Sequence, residues 1–259
     1  MKISAIADIH VKDSNSINYQ FLLSFLKHEK VQESDTIYLL GDIFDLMIGN
    51  HHEYFSEFSQ FFALLEDLNK REVKVHYVEG NHDFHLKRLF DKFINQRQLN
   101  PDYLQVHPNG LLEKVSGKDV LFIHGDEFGF DNTIISSYRK IIRSKTMQLV
   151  ANYFINYKML NYIGKRFSTY SRSKGLKKHS NNTIDRQLKI FHQKMEAIHR
   201  LVGSDYIICG HHHIQDIYQS KNGFISINVG EPAKTNSFLH FSGEGEYQFV
   251  PILSERLID

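Results

Sequence analysis

Residues 35–42 read DTIYLLGD, a run of apolar, β-prone residues that ends in Gly41 and Asp42. Such a run, bounded by turn residues, is typical of a buried strand. Similar runs are KISAIAD (2–8), VKVHYVEG (73–80), KDVLFIHG (118–125), DYIICG (205–210) and GFISINVG (223–230). The segments 17–29 and 54–71, between the first three strands, have apolar residues at helical spacing. This alternation predicts a layered α/β fold.

Polar, ligand-capable residues follow five of these predicted strands. Their motifs are D-x-H at 8–10, GD-x-x-D at 41–45, GNHD at 80–83, HG at 124–125 and GHHH at 210–213. Each motif taken singly is compatible with an ordinary turn capped by Asp or Asn. Ligands of open α/β sheets bind at the carboxyl ends of the strands, so the shared placement predicts one site.

The residue types at this site indicate a metal centre. Carboxylate and imidazole without thiolate suit Mn²⁺, Fe²⁺ or Zn²⁺. The single cysteine, Cys209, excludes a Cys-based zinc site and an internal disulfide. The ligand-capable residues are too many for one ion and fit two, which can clamp both sides of an in-line phosphoryl displacement. We expect Mn²⁺, with Fe²⁺ and Zn²⁺ as alternatives.

Charge is distributed unevenly along the chain. The protein has 31 Lys and Arg against 30 Asp and Glu, and residues 139–194 contain 14 of the basic residues but one acid, Asp185. That segment is therefore +13, which leaves 17 basic and 29 acidic residues, or −12, elsewhere. The basic block favours an anionic partner such as a phosphate-bearing substrate, lipid headgroups or nucleic acid, with a solvated helical face as the alternative.

Residues 128–201 lack strand patterns and are predicted to form a helical insertion within one domain, residues 1–259. Apolar residues recur there at spacings of mostly three, four or seven, with Lys and Arg between them. They are Ile142, Leu149, Tyr153, Leu160, Ile163 and Phe167. We expect the insertion to lie over the strand ends, where it packs on the body or contacts a membrane surface.

The N-terminal sequence bears on localisation. Asp8 and His10 come before any signal-peptide core could form, and no apolar stretch reaches the roughly 18 residues of a membrane span. We expect a cytoplasmic protein. Peripheral contact with the inner membrane through the basic insertion is left open.

The motifs together resemble a known signature. Seven residues match, in order and spacing, the five motifs of the calcineurin-like metallophosphoesterase superfamily. The resemblance implies a four-layer α/β sandwich, two mixed β-sheets flanked by helices, with a dinuclear centre at one edge. On that pattern Asp8, His10 and His213 would hold the first ion, Asn81, His124 and His211 the second, and Asp42 would bridge them.

The same resemblance implies roles for residues near the ligands. His82 would stabilise the pentacoordinate phosphorus and protonate the leaving oxygen, while Asp83 would orient its imidazole. His211 and His213 are two residues apart in a segment expected to be extended, so they would point the same way and serve different ions. His212 would face elsewhere.

Within the superfamily, the chain most resembles the UDP-2,3-diacylglucosamine pyrophosphohydrolases of lipid A assembly. The similar segments are GDIFDLMIG (41–49), GNHDF (80–84), HGDEFGFDN (124–132), SYRKIIRS (137–144) and the turn at 230–231. This implies hydrolysis of a lipid-linked diphosphate to UMP and a lipid monophosphate, under a cap that receives acyl chains. Candidate phosphate contacts are Arg172, Lys174 and Lys178.

Two departures keep other functions open. His82 stands where those enzymes usually have Arg, and Glu231-Pro232 where they have Asp-Trp. A broad-specificity phosphoesterase or nucleotide pyrophosphatase is therefore the alternative. A non-catalytic scaffold is disfavoured by the complete ligand set. A nuclease is disfavoured because the basic residues accompany apolar helical stripes rather than a nucleic-acid-binding fold.

Overall fold

The larger of two packed β-sheets has six strands. In the computed structural model, which describes residues 1–126, 141, 143–157, 159–160, 181–242 and 246–253, this sheet has the order β13-β12-β1-β2-β4-β6. Its strands are Ile3–Ile6 (β1), Thr36–Leu40 (β2), Lys74–Val78 (β4), Leu104–His107 (β6), Ser237–Phe241 (β12) and Tyr247–Pro251 (β13). The pairs among β1, β2, β4 and β6 are parallel, and β12 and β13 are added antiparallel.

The smaller sheet has five strands in the order β10-β11-β9-β8-β7. They are Leu111–Val115 (β7), Lys118–Phe122 (β8), Tyr206–Cys209 (β9), Asp216–Gln219 (β10) and Ile225–Asn228 (β11). β8, β9 and β11 are parallel, and both edge strands are antiparallel to their neighbours. A short parallel pair, Met47–Ile48 (β3) and Asp83–Phe84 (β5), lies apart from both sheets.

Helices flank the sheets. The described α-helices are Ile17–Lys27 (α1), Glu29–Gln32 (α2), Glu53–Glu57 (α3), Ser59–Lys70 (α4), Lys87–Arg97 (α5), Lys145–Tyr153 (α6), Asn181–Val202 (α7) and Pro232–Thr235 (α8), with a 3-10 turn at Pro101–Tyr103. Within the described residues, no helix combines the length and apolar character that a bilayer crossing requires.

Alternate residues of the central strands enter two different cores. Tyr38 and Leu40 pack in the cluster between the two sheets, whereas Ile37 and Leu39 pack in the cluster beneath α1, α4 and α5. Tyr38 stacks on Phe122 of the opposite sheet with ring centroids 3.6 Å apart. Because both faces of these strands are buried, their sequences are almost continuously apolar. The predicted four-layer sandwich of two mixed sheets flanked by helices is confirmed.

The described parts of segment 128–201 are mostly helical. α6 begins after Ser144, whose side-chain oxygen accepts a hydrogen bond from the Met147 amide at 3.2 Å. α7 packs on the outer face of the smaller sheet through Phe191, Met195 and Ile198. The last part of the predicted insertion therefore also forms the fourth layer. That the segment caps the strand ends remains a prediction.

Candidate metal centre

The seven predicted ligand residues lie at one edge of the sandwich. Parallel strands place their carboxyl ends together, and each ligand residue follows such an end. β1 leads to Asp8 and His10, β2 to Asp42, β4 to Asn81, β8 to His124, and β9 to His211 and His213. The side chains form two groups, whose contacts are described below.

The backbone at these strand ends is mostly left-handed. The φ angles are 54° at Asp8, 52° at His10, 50° at Asp42, 71° at His211 and 56° at His213. Each such conformation costs a non-glycine residue on the order of 1 kcal/mol, and such strain concentrates at functional sites. The prediction of an extended segment at 211–213 is wrong, because the chain turns as soon as β9 ends.

The first group contains Asp8, His10 and His213, whose candidate ligand atoms all lie within 4.8 Å of one another. The Nε2 atoms of His10 and His213 are 3.3 Å apart, and His213 Nε2 is 3.5 Å from Asp8 Oδ1. That oxygen is buried and has no hydrogen-bond partner among the described residues. A buried carboxylate oxygen facing converging imidazole nitrogens fits a cation.

The second group contains Asp42, His124 and His211, also within 4.8 Å of one another. His124 Nδ1 donates to the Leu40 carbonyl at 2.8 Å, which leaves Nε2 to face the group. Nε2 lies 3.4 Å from Asp42 Oδ2 and 3.3 Å from Asn81 Oδ1. The lone pair of a neutral imidazole would repel these two oxygens, so either a proton or a cation must lie between them.

Burial and neighbouring charges set the protonation of these groups. Burial lowers the pKa of His10 to about 4 and that of His211 to about 2, so both rings are neutral near pH 7. Burial raises the pKa of Asp8 to about 6. Burial would also raise the pKa of Asp42, but the charge of His124 outweighs it and lowers that pKa. Neutral imidazole and ionised carboxylate are the forms that bind metal.

Two carboxylates contact the outer nitrogens of the first group. Glu231 Oε2 lies 3.0 Å from Nδ1 of His213, and Asp45 Oδ1 lies 3.8 Å from Nδ1 of His10. A carboxylate at hydrogen-bond distance fixes the ring orientation and tautomer of a metal-binding histidine, as Glu231 does for His213. Both carboxylates belong to sequence motifs, GD-x-x-D and the turn at 230–231, but these motifs predicted no role for them. The spacing of residues could not identify Glu231 as the partner of His213, because Glu231 follows a different strand.

Two glycines allow the turns to approach the carboxylates closely. A Cβ atom on Gly80 would lie 2.2 Å from Asp42 Oδ1, and one on Gly210 would lie 2.5 Å from Asp8 Oδ2. Real Cβ atoms do not approach polar atoms this closely, so any larger residue would displace the carboxylate.

His82 lies beside the first group. Its ring is 5.1 Å from that of His10, edge to face, and its amide donates to Asp42 Oδ1 at 2.9 Å. Its Nδ1 donates to the Asp45 carbonyl at 2.8 Å, so Nε2 is the nitrogen left to face a substrate. The candidate ligand atoms of His10, Asp45 and His82 also lie within 4.8 Å of one another.

The prediction that Asp83 orients the His82 ring is wrong. Asp83 is fully buried, and its carboxylate accepts hydrogen bonds from the amides of Asp42, Ile43 and Gly80 at 2.7–2.9 Å. The Tyr77 hydroxyl donates to the same carboxylate at 2.5 Å. Asp83 therefore binds the two ligand-bearing turns together. Its side chain points into the fold because it begins β5, whereas the His82 ring is held by Asp45.

The side chain of His212 belongs to neither group. The His212 ring packs 4.6 Å from that of Phe191 on α7, and burial lowers its pKa to about 4. Arg172, Lys174 and Lys178, the candidate phosphate contacts, lie outside the described residues.

An α/β sandwich with two adjacent Asp and His groups at its strand ends is typical of dinuclear metallohydrolases. The family model described as calcineurin-like phosphoesterase matches residues 1–215. The chain therefore belongs to the calcineurin-like phosphoesterase family and is a hydrolase of phosphoesters. Members of this family use two divalent metal ions, and the two groups fit that requirement.

Individual relatives extend the comparison. A Histophilus somni (strain 129Pt) protein named UDP-2,3-diacylglucosamine hydrolase is 26% identical over 252 residues, 95% of this chain and 97% of its own. A Neisseria meningitidis (serogroup B) protein of the same name is 26% identical over 249 residues, 95% and 96% of the two chains. A solved structure from Thermus thermophilus aligns over 97% of this chain and 99% of its own with 11% identity and a TM-score of 0.48.

Proposed function

We propose that this protein binds two Mn²⁺ ions and hydrolyses the diphosphate of a lipid-linked nucleotide. Asp8, His10 and His213 would hold the first ion, Asn81, His124 and His211 the second, and Asp42, which lies in the group of His124 and His211, would be the shared ligand. The strongest support is the presence of two Asp and His groups, in each of which the candidate ligand atoms lie within 4.8 Å of one another. The ions supply Lewis-acid polarisation of the phosphoryl group and a water of lowered pKa.

The protein side chains contribute orientation and proton transfer. His82, fixed through Nδ1 by the Asp45 carbonyl, presents Nε2 to the phosphoryl oxygens. In its imidazolium form it donates a hydrogen bond to the charge that develops there and can pass a proton to the leaving oxygen. The carboxylate of Glu231 holds the His213 ring in place.

The substrate that we propose is UDP-2,3-diacylglucosamine, cleaved to UMP and a lipid monophosphate in lipid A biosynthesis. Support comes from relatives of that name that align over 95% of this chain. In this proposal, residues 128–201 form a helical cap that receives the acyl chains. Arg172, Lys174 and Lys178 neutralise the diphosphate.

We further propose that the enzyme works in the cytoplasm at the surface of the inner membrane. Exposed apolar side chains on and after α6 support this, namely Leu149, Tyr153, Phe154 and Met159, with Phe154 80% exposed. The basic composition of residues 139–194 would complement these apolar side chains at an anionic lipid surface. Cosedimentation with phosphatidylglycerol vesicles, reduced by Phe154→Glu, would be the expected result.

The identity of residue 82 supports a second candidate function. His82 stands in the GNHD motif where the UDP-2,3-diacylglucosamine enzymes usually have Arg. A ring held by the Asp45 carbonyl can serve many phosphoesters, so a broad-specificity phosphoesterase or nucleotide pyrophosphatase is the alternative.

Purified protein loaded with Mn²⁺ and incubated with UDP-2,3-diacylglucosamine distinguishes these functions. We expect release of UMP, and no release from the Asp42→Ala variant. Turnover of p-nitrophenyl phosphate or ADP-ribose without UMP release would support the alternative. No turnover of any of these by a protein that has bound two ions would contradict both.

A further inference from the structure

Arg143 links the segment before α6 to the turn that follows β4. Its guanidinium donates to the carbonyl oxygens of Glu79 at 3.1 Å and Gly80 at 2.8 Å, and also to the Pro108 carbonyl. The side chain is 12% exposed. Backbone carbonyls of three residues are thus held by one planar cation.

The same guanidinium lies between two buried carboxylates. Its Nη1 is 3.5 Å from Glu79 Oε2, and its Nη2 is 3.9 Å from Asp126 Oδ2. The Glu79 side chain is 3% exposed, and its other oxygen accepts a hydrogen bond from the Leu86 amide at 2.7 Å. Without Arg143, two carboxylates near the metal centre would lose this cation.

These contacts reach two of the turns that carry proposed ligands of the second ion. The turn after β4 carries Asn81, one residue beyond the carbonyl of Gly80. The turn after β8 carries His124, two residues before Asp126. Asn81 Oδ1 and His124 Nε2 are 3.3 Å apart, so a small shift of either turn changes their separation.

We propose that Arg143 is a positioning residue for the second metal ion, acting through Asn81 and His124 rather than on the substrate. This inference rests on the proposed metal site, but not on the identity of the substrate. Among the described residues, backbone carbonyls engage both terminal nitrogens of Arg143, and its Nε is buried, which disfavours a direct contact with a phosphate. Lysine cannot replace it fully, because an ammonium lacks the planar fork that reaches several carbonyls.

The test is Mn²⁺ binding to the full-length Arg143→Met and Arg143→Lys variants. Calorimetry reports the affinity of each ion, and electron paramagnetic resonance reports spin coupling between two ions. For Arg143→Met we expect the second ion to bind about 10- to 100-fold more weakly, with loss of the coupled signal. Arg143→Lys should recover part of the affinity. In activity assays at saturating Mn²⁺, kcat should fall more than KM rises.

A control variant distinguishes positioning of the metal ligands by Arg143 from a general stabilising effect of the contacts made by residues 143–153. Arg88→Met removes the hydrogen bond from Arg88 to the Tyr153 hydroxyl, 2.8 Å, which joins α5 to α6 away from the turns. We expect it to bind both ions normally. Wild-type affinity and coupling in Arg143→Met would overturn the inference. So would equal weakening in Arg88→Met. Failure of UMP release in the wild type, with the expected metal-binding changes in Arg143→Met, would contradict only the proposed substrate.

Discussion

Nδ1 of His213 lies 3.0 Å from Oε2 of Glu231, while Nε2 of the same ring faces Asp8. Burial alone would raise the pKa of Glu231, but the hydrogen bonds from His213 and Lys234 outweigh burial and lower it to about 2. The carboxylate is thus ionised throughout the working pH range. It fixes the tautomer in which Nε2 is free for a metal ion.

Glu231→Gln should therefore weaken metal binding about 10- to 100-fold, because the amide no longer holds the His213 ring by charge. Mn²⁺ titration calorimetry measures this. Lys234→Met is the matched control, since Lys234 contacts the same carboxylate from the exposed side. Its effect should stay within about twofold, as for most exposed ion pairs. Equal effects of the two substitutions would contradict the role of Glu231.

Gly80→Ala should abolish activity, because the added Cβ would lie 2.2 Å from Asp42 Oδ1. Gly117→Ala is the control. Gly117 has a φ of 82°, and an added Cβ there would meet nothing within 4 Å. Its substitution therefore strains the backbone but causes no steric clash. We expect it to lose about 1 kcal/mol of unfolding free energy and to keep its activity. An active Gly80→Ala enzyme would show that Asp42 need not occupy its present position.

Asp83→Asn should lower the unfolding free energy by about 1–3 kcal/mol, because a buried acceptor of several amide hydrogen bonds becomes partly a donor. Tyr77→Phe, which removes the hydroxyl that contacts the same carboxylate, should cost about 1 kcal/mol and keep activity. Urea unfolding measures both. If Asp83 instead oriented His82, Asp83→Asn would shift the alkaline limb of the pH–rate profile, where a general acid loses its proton, without loss of stability.

A histidine pair remote from the metal centre should make stability depend on pH. His76 Nδ1 and His107 Nε2 are 2.9 Å apart, and burial lowers the pKa of His76 from 6.5 to about 4. Between pH 4 and pH 6.5, His76 therefore binds a proton more readily in the unfolded chain than in the folded protein. Stability should fall as the pH drops from about 6.5 to about 4, by up to about 1.4 kcal/mol per unit from this group.

His76→Asn should reduce that slope, measured by urea unfolding at a series of pH values between about 7 and about 4. Substitution of the exposed His52 by Asn serves as the control. Identical slopes in the wild type and His76→Asn would contradict the assignment of this proton to His76.

Much of the fold was predictable because six buried strands have apolar runs that end in turn residues. β10 and β7 were not predicted, since edge strands with one solvated face have a weaker signal: Asp216–Gln219 alternates between half-buried and exposed residues. β12 and β13 follow the last motif, and β12 pairs antiparallel with β1, a long-range contact that no local pattern encodes.

The candidate site was predictable as a set of residues but not as geometry. The ligand-capable side chains could be identified because each follows a predicted strand. Parallel strands bring their carboxyl ends together, so these side chains were expected to share one site. The direction of each side chain could not be predicted from its place in a motif. Asp83 follows His82 directly, yet its side chain points into the fold and accepts a hydrogen bond from Tyr77. Likewise, the left-handed φ angles of His211 and His213 depend on tertiary contacts, which override the preference of the local sequence.

The central claim is that two metal ions share Asp42 between the two groups. Electron paramagnetic resonance of the Mn²⁺-loaded protein, combined with metal analysis, tests it most directly. We predict two ions per chain with an exchange-coupled spectrum, and loss of the coupling in Asp42→Ala. One ion per chain with an uncoupled six-line spectrum, unchanged by Asp42→Ala, would contradict the account.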